Sequence, residues 1–342
     1  MIKSVVLKGV KNVVPCTVPE PAYRDGYVLM NVRKCGICGS DIHYWNIGQP
    51  ENLVMGHEFC GTVIDPGARD DLKEGDRITG LPISPCGECE ACLSNNPQYC
   101  PKTWNDAVGI SLTNSGAYSE KTAIRSDLVI KVPDNVSDEE AAMVEPTAVG
   151  LHAVNLANIK KGDNVLVIGG GIIGQLSALL AKKKGAGYVA IAEVNKLRGK
   201  KAVKLGCADE FCDAKEENFV ENSKSHNPYG FDVVIDCCGD SACVSNAIMC
   251  AKPNGTVVLV GVSLESITIP SSVAVIKELK ILGAIAYTKE EFVECLDMIA
   301  KKEINLLPFI SAIVGLDGVQ QAFERLTSLE DDAIKILIDP SK

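Results

Sequence analysis

The sequence predicts an α/β chain of two domains, one mostly β and one a doubly wound parallel sheet. Three observations carry this reading. At 342 residues the chain is too long for one compact core and comfortable for two. Residues 1–148 are rich in Gly, Pro and short alternating runs, whereas from about 150 the rhythm becomes strand, helix, strand, helix. Hydrophobic residues make up 46% and charged residues 23%, ordinary globular usage that excludes disordered and fibrous classes.

In the first region, YVLMNV at 27–32 and AYSEKT at 117–122 alternate as half-buried strands do, and Pro66-Gly67 and Glu74-Gly75-Asp76 supply turns. In the second, Asn164–Ile168 is an apolar strand, 172–184 a helix ended by Gly185-Ala186-Gly187, and 188–192 the next strand. Phe231–Asp236 and 256–260 are further strands. Wholly apolar strands alternating with helices imply a parallel sheet covered on both faces. After about 285, Phe292, Cys295, Leu296 and Ile299 follow the i, i+3, i+4, i+7 spacing of a helix, and 333–338 is a closing strand. The expected domains are therefore 1–148 with 286–342, and 149–285.

Lys and Arg total 34 against 44 Asp and Glu, a net charge of −10 without a basic stripe, so no nucleic-acid partner is expected. Lys3, Lys8 and Lys11 break any apolar leader at the N-terminus. Residues 164–181 are uncharged but hold four glycines, Gln175 and Ser177, so no membrane partner is expected either. Of fifteen cysteines, about ten, among them Cys237, Cys238, Cys250 and Cys295 in apolar runs, read as small hydrophobes. The other five have metal-ligand spacing, which points to a reducing, cytoplasmic setting.

Gly169, Gly171 and Gly174 complete G-x-G-x-x-G between an apolar strand and a helix that opens at Ile172 and Ile173. The first glycine permits the turn, the second lets backbone approach a pyrophosphate, and the third packs helix on strand. Glu193 ends the next strand, where a carboxylate accepts from the adenosine ribose and repels a 2′-phosphate. That favours NAD, with Arg198 nearby as a cation able to tolerate a phosphate.

Cys86, Cys89, Cys92 and Cys100 form C-x2-C-x2-C-x7-C, a spacing that wraps one tetrahedral Zn²⁺ and leaves no position open. A dispersed set follows a different logic. Cys38, His57 and Glu145 could converge from separate loops, holding zinc while leaving a place for substrate. Of the four histidines, His43 and His57 lie in these segments, His152 follows Glu145, and only His226 lies elsewhere.

In this order GICGSDIHYW, GHEFCGTV, the four-cysteine loop, EPTAVGLHA and VLVIGGGIIG resemble the zinc-dependent medium-chain alcohol dehydrogenases. Within them the chain is similar to the polyol branch, typified by sorbitol dehydrogenase, and to the butanediol dehydrogenases. The resemblance spans essentially the whole chain. It implies a GroES-like mostly-β catalytic domain plus a Rossmann domain, two Zn²⁺ per chain, NAD, and a homodimer or homotetramer. It places Cys38, His57 and Glu58 on the catalytic zinc, with Glu145 binding the metal or its water. Asp41 would orient His57, Ser40 would take the alcohol proton and His43 pass it to solvent by way of the nicotinamide ribose. Val260 and Val262 would lie beside the cofactor, and Tyr44 and Trp45 would wall the substrate pocket.

The implied reaction moves hydride between NAD(H) and a secondary alcohol of a polyol, diol, sugar acid or sugar phosphate. One departure bears on the substrate: sorbitol dehydrogenases carry an arginine before Tyr287, and here that residue is Ala286. Two alternatives compete, a threonine-type amino-alcohol dehydrogenase and a non-catalytic nucleotide-binding relative. The uncharged, β-branched segment 263–275 reads as an edge strand in need of a partner.

Overall fold

The computed structural model describes residues 1–22 and 24–342. The chain forms two units: Met1–Pro146 with Thr288–Ser328 and Lys335–Lys342, and Thr147–Tyr287 with Leu329–Ile334.

The first unit is built on a mixed sheet whose hub is the long strand Tyr27–Gly36. It pairs antiparallel with Glu58–Asp65, with Lys121–Arg125 and with Lys335–Ile338. Arg77–Gly80 and Val129–Lys131 extend one side, and Ile310–Val314 closes the other. A separate hairpin joins Ile2–Gly9 to Asn12–Val18. Leu7, Met30, Phe59, Ile78 and Phe323 form its buried interior, each side chain worth about 1.5–3 kcal/mol on burial. The AYSEKT run is only partly strand. Ala117 and Tyr118 donate their N–H groups to Gly56 and Met55 carbonyls, and regular pairing begins at Lys121.

The second unit is a six-stranded parallel sheet. Its order is Glu210–Asp213, Tyr188–Glu193, Asn164–Ile168, Phe231–Asp236, Ala251–Leu259 and Lys280–Gly283. The central strands are buried on both faces, which is why Val165, Leu166, Val167, Val189 and Ile191 all read apolar. Sequence order reverses between Asn164–Ile168 and Phe231–Asp236, the switch point at which doubly wound sheets bind ligands beyond their carboxyl ends.

Three expectations are corrected. Segment 263–275 is not the edge strand: Ser271–Ile276 is a short helix following Pro270, and the edge is Lys280–Gly283. Pairing in the closing strand starts at Lys335, because the Ala333 N–H is held by the Asp331 side chain at 2.8 Å. Cys238 is exposed, since the chain leaves the strand at Asp236 and turns through Gly239 at φ +86°.

Candidate active site

Register brings the first donor set together. Gly36 on the hub strand lies opposite Glu58, and just past the hub Cys38 caps the helix Gly39–Ile47. One donor atom each from Cys38, His57 and Glu58 lies within 4.8 Å of the others. His57 and Glu58 are buried, Cys38 half-buried. Two glycines make room for them. A Cβ on Gly36 would sit 2.1 Å from Glu58 Oε2, and one on Gly56 would meet the Tyr118 ring at 2.5 Å.

Asp41 anchors the set from behind. Fully buried, it accepts from the Tyr118 hydroxyl at 2.7 Å and from the Cys38 N–H at 3.0 Å. Its free oxygen faces His57 Nδ1 at 3.6 Å, just outside hydrogen-bond length. Burial raises the Asp41 carboxyl above its ordinary range. Burial opposes charge on His57, but the Cys38 and Asp41 charges outweigh it and raise its pKa well above normal. Negative charge thus gathers around these donors, and a cation would neutralise it.

Glu58 is more constrained than the sequence suggests. Its Oε2 pairs with Lys335, both side chains fully buried, and Lys335 also donates to the Ile37 carbonyl at 2.8 Å. Its Oε1 is buried with no hydrogen-bond partner among the described residues. An orphan carboxylate oxygen beside a thiolate and an imidazole fits Zn²⁺, whose ligands are these donor types. Lys335 was missed from sequence, although a lone cation inside AIKILI was a usable signal; Tyr118 gave none.

Ser40 Oγ lies 3.4 Å from His57 Nε2, and His43, three residues on, is exposed. Glu145, nearly buried in the first turn of Val144–Ala157, lies outside the three-donor group, but its charge acts on both His57 and Lys335. Trp45 is not a pocket wall: it is buried and stacks on Phe323 at 5.4 Å between ring centres. Tyr44 is half-buried.

The four-cysteine loop also converges. All four sulfurs lie within 4.8 Å of one another, with Cys86–Cys92 at 3.9 Å and Cys89–Cys92 at 3.5 Å. Backbone N–H groups of Cys86, Gly87, Cys89 and Lys102 point at sulfurs at 3.3–3.4 Å. Burial opposes ionisation of Cys100, yet the Cys86 and Lys102 N–H groups pull it down to about 6. Four sulfurs so placed fit a closed Zn²⁺ site.

In the second unit, Gly169 turns at φ +102° and Gly171 caps the helix Ile172–Lys183. A Cβ on Gly174 would strike the Gly169 carbonyl at 1.8 Å, so only glycine lets helix and strand approach there. A Cβ on Gly171 would meet nothing within 4 Å, so the backbone is open to a phosphate at the helix start. Glu193 is bound more tightly than expected. Its carboxylate accepts from the N–H groups of Gly170 at 2.6 Å, Val194 at 2.7 Å and Asn195 at 2.8 Å. Arg198 is half-buried on the following helix, Val260 half-buried and Val262 exposed.

Comparison with known proteins agrees with this geometry. Residues 24–134 match the alcohol dehydrogenase GroES-like domain, and 173–301 match the zinc-binding dehydrogenase family. A probable D-xylulose reductase A of Aspergillus clavatus is 32% identical over 98% of this chain and 96% of its own. Sorbitol dehydrogenase of Gallus gallus is 33% identical over 95% and 92%. Among solved structures, a zinc-binding dehydrogenase of Sinorhizobium meliloti bound to NADP has a TM-score of 0.89 at 31% identity, covering 99% of both chains. 2R,3R-butanediol dehydrogenase of Bacillus subtilis has a TM-score of 0.88 at 28% identity, covering 99% and 100%. The chain belongs to the zinc-binding alcohol dehydrogenase family. It has the GroES-like and Rossmann domains of that family and is an oxidoreductase.

Proposed function

We propose that this dehydrogenase interconverts a secondary alcohol and its ketone on a polyol, diol or sugar-derived substrate, with NAD(H) as cofactor and two zinc ions per chain. The observation that carries the reading is the converged Cys38, His57 and Glu58 set with its orphan carboxylate oxygen. When bound there, zinc supplies a Lewis acid that favours an ionised alcohol, and the nicotinamide supplies the hydride acceptor. Cys38, His57 and Glu58 hold the metal, and Glu145, whose charge acts on His57, steadies its water. Ser40 accepts the alcohol proton at Oγ, and His43, on the same face of its helix at i+3, carries it to solvent. A carboxylate in place of a second thiolate makes the donor set harder, which suits a hydroxyl-rich substrate.

The remaining assignments belong to the same proposal. Glu193 faces the adenosine ribose and favours NAD over NADP, with Arg198, Val260 and Val262 lining the cofactor. Cys86, Cys89, Cys92 and Cys100 hold the structural zinc, and a reducing, cytoplasmic setting keeps them free of disulfides. A homodimer or homotetramer is supported by the exposed apolar edge of the parallel sheet. There Val275 and Ile276, on the helix that leads into the last strand, are 75% and 82% exposed, and Ile281 and Leu282 on that strand are exposed too.

A cofactor-reduction screen over polyols, diols, sugar acids, sugar phosphates and threonine tests the reading. NADH formation with a polyol, diol or sugar derivative supports it. Turnover confined to threonine would move the protein to the amino-alcohol class, and no turnover with any alcohol would make it a binder.

A further inference from the structure

Among the described residues, a third group brings metal-type donors within 4.8 Å of one another: Asp236, Cys238 and Cys243. It lies wholly in the parallel-sheet unit and shares no residue with either zinc set. Tetrahedral zinc with metal–sulfur bonds of about 2.3 Å holds its ligand atoms about 3.8 Å apart, so the spacing is already close to what a metal requires.

Each donor is fixed by backbone. Asp236 ends its strand fully buried, its two oxygens accepting from the Cys238 N–H at 3.2 Å and the Gly239 N–H at 2.9 Å. Each oxygen keeps a lone pair for a cation. Cys243 sits in the first turn of the helix Ser241–Cys250, where the Asp240 cap accepts from its N–H at 2.8 Å. The second Asp240 oxygen lies 3.3 Å from the Cys243 sulfur. Cys238 is exposed and gives an ion a way in. Two carboxylates beside two sulfurs disfavour a bare thiolate, the species a peroxide would oxidise, and attract a cation instead.

We propose that Asp236, Cys238 and Cys243 form a further metal site for a soft divalent cation such as Zn²⁺ or Cd²⁺, with one coordination position left open. Binding releases the two thiol protons, and the ion is then held by two sulfurs and one carboxylate oxygen. The Cys238 sulfur lies against the first glycine of the phosphate loop, only 2.8 Å from where a Cβ on Gly169 would stand. An ion here antagonises dinucleotide binding. That consequence rests on the cofactor reading of the loop; the metal site itself does not.

The test uses holoenzyme carrying its own zinc, equilibrated with Cd²⁺ alone over a concentration series. Bound Cd²⁺, retained zinc and thiolate-to-cadmium absorption are measured. The expected result is one Cd²⁺ beyond the holoenzyme complement with no zinc released. Affinity should fall more than about tenfold in Cys243→Ser and, separately, in Cys238→Ser. No extra Cd²⁺ in wild type, uptake in both variants undiminished from wild type, or uptake matched by zinc loss overturns the site. So does a Cys238–Cys243 disulfide in freshly isolated protein, which would make the pair redox-active. NADH titration by fluorescence is the second arm. A weaker NADH affinity with Cd²⁺ in wild type but not in Cys243→Ser supports the antagonism. Unchanged NADH affinity overturns the antagonism alone, and an enzyme that binds no NADH at all overturns the cofactor reading instead.

Discussion

Lys335 and Glu58 form an ion pair with both side chains at zero exposure, directly behind the Cys38 and His57 donors. The closing strand carries the cation to the hub strand, where Leu337 lies opposite Gly36, itself opposite Glu58. Burial alone would depress the lysine, yet the Glu58 charge beside it keeps its pKa raised. Removing one partner of a buried pair leaves an uncompensated charge. Lys335→Met should therefore destabilise the protein by about 3–5 kcal/mol in equilibrium denaturation. A loss under about 1 kcal/mol would show that Glu58 finds compensation elsewhere.

Metal removal should separate the two zinc sites. Metal analysis should find two ions per chain, and a mild chelator should take one of them together with activity. A closed site of four sulfurs should exchange slowly, whereas one with a carboxylate and an open position should be labile. Cys38→Ser should abolish turnover with the circular dichroism spectrum intact, while Cys100→Ser should lower the melting temperature. One zinc or none in carefully prepared protein would refute the pair of sites.

Cofactor choice turns on Glu193. A dianionic phosphate beside its carboxylate should cost about 2–4 kcal/mol, or roughly 30- to 1,000-fold in kcat/KM for NADP⁺ against NAD⁺. Glu193→Ser should shrink that ratio. It should also raise KM for both cofactors, because the same carboxylate holds the Gly170 N–H and so shapes the phosphate loop. A wild type that prefers NADP⁺, or a ratio that the substitution leaves alone, would remove Glu193 from the ribose.

Acid stability should depend on Asp232, which ties its own strand to the parallel strands on both sides. It accepts from the Asn164 N–H at 2.8 Å and pairs with Lys252. Burial would raise its carboxyl, but Lys252 and Asn164 outweigh burial and hold it below the ordinary range. A depressed folded pKa gives stability that is present above the unfolded value of about 4 and is lost as pH falls through the folded value. Asp232→Asn should thus lower the melting temperature at pH 7 and by less near pH 3. An equal decrement at both pH values would mean the charge contributes nothing.

Assembly should depend on the outer edge of the parallel sheet. Ile276→Lys combined with Leu282→Lys places two cations among the exposed apolar residues of that edge, and sedimentation should then show monomer where wild type shows a dimer or tetramer. A wild type that is monomeric at micromolar concentration would leave this edge without a partner.

The sequence by itself determined whatever is written in local order. Wholly apolar strands between helices specified the parallel sheet, because a strand buried on both faces cannot alternate. The G-x-G-x-x-G hexamer and the C-x2-C-x2-C-x7-C loop each place their groups within a few turns of chain, so spacing alone foretold the glycine turn into a helix and the gathering of four sulfurs. Cys38, His57 and Glu58 were legible only through the motifs that carry them, since the donors converge through strand register. Tertiary structure alone decided the rest. It brought Lys335 to Glu58 across 277 positions, set Tyr118 on Asp41, and turned Trp45 into the core against Phe323. It also replaced the expected edge at 263–275 with a helix and moved the edge to Lys280–Gly283, because pairing with Ala251–Leu259 settled which segment became the strand. Burial and long-range pairing are properties of the folded sheet, and one residue's neighbours in sequence do not encode them.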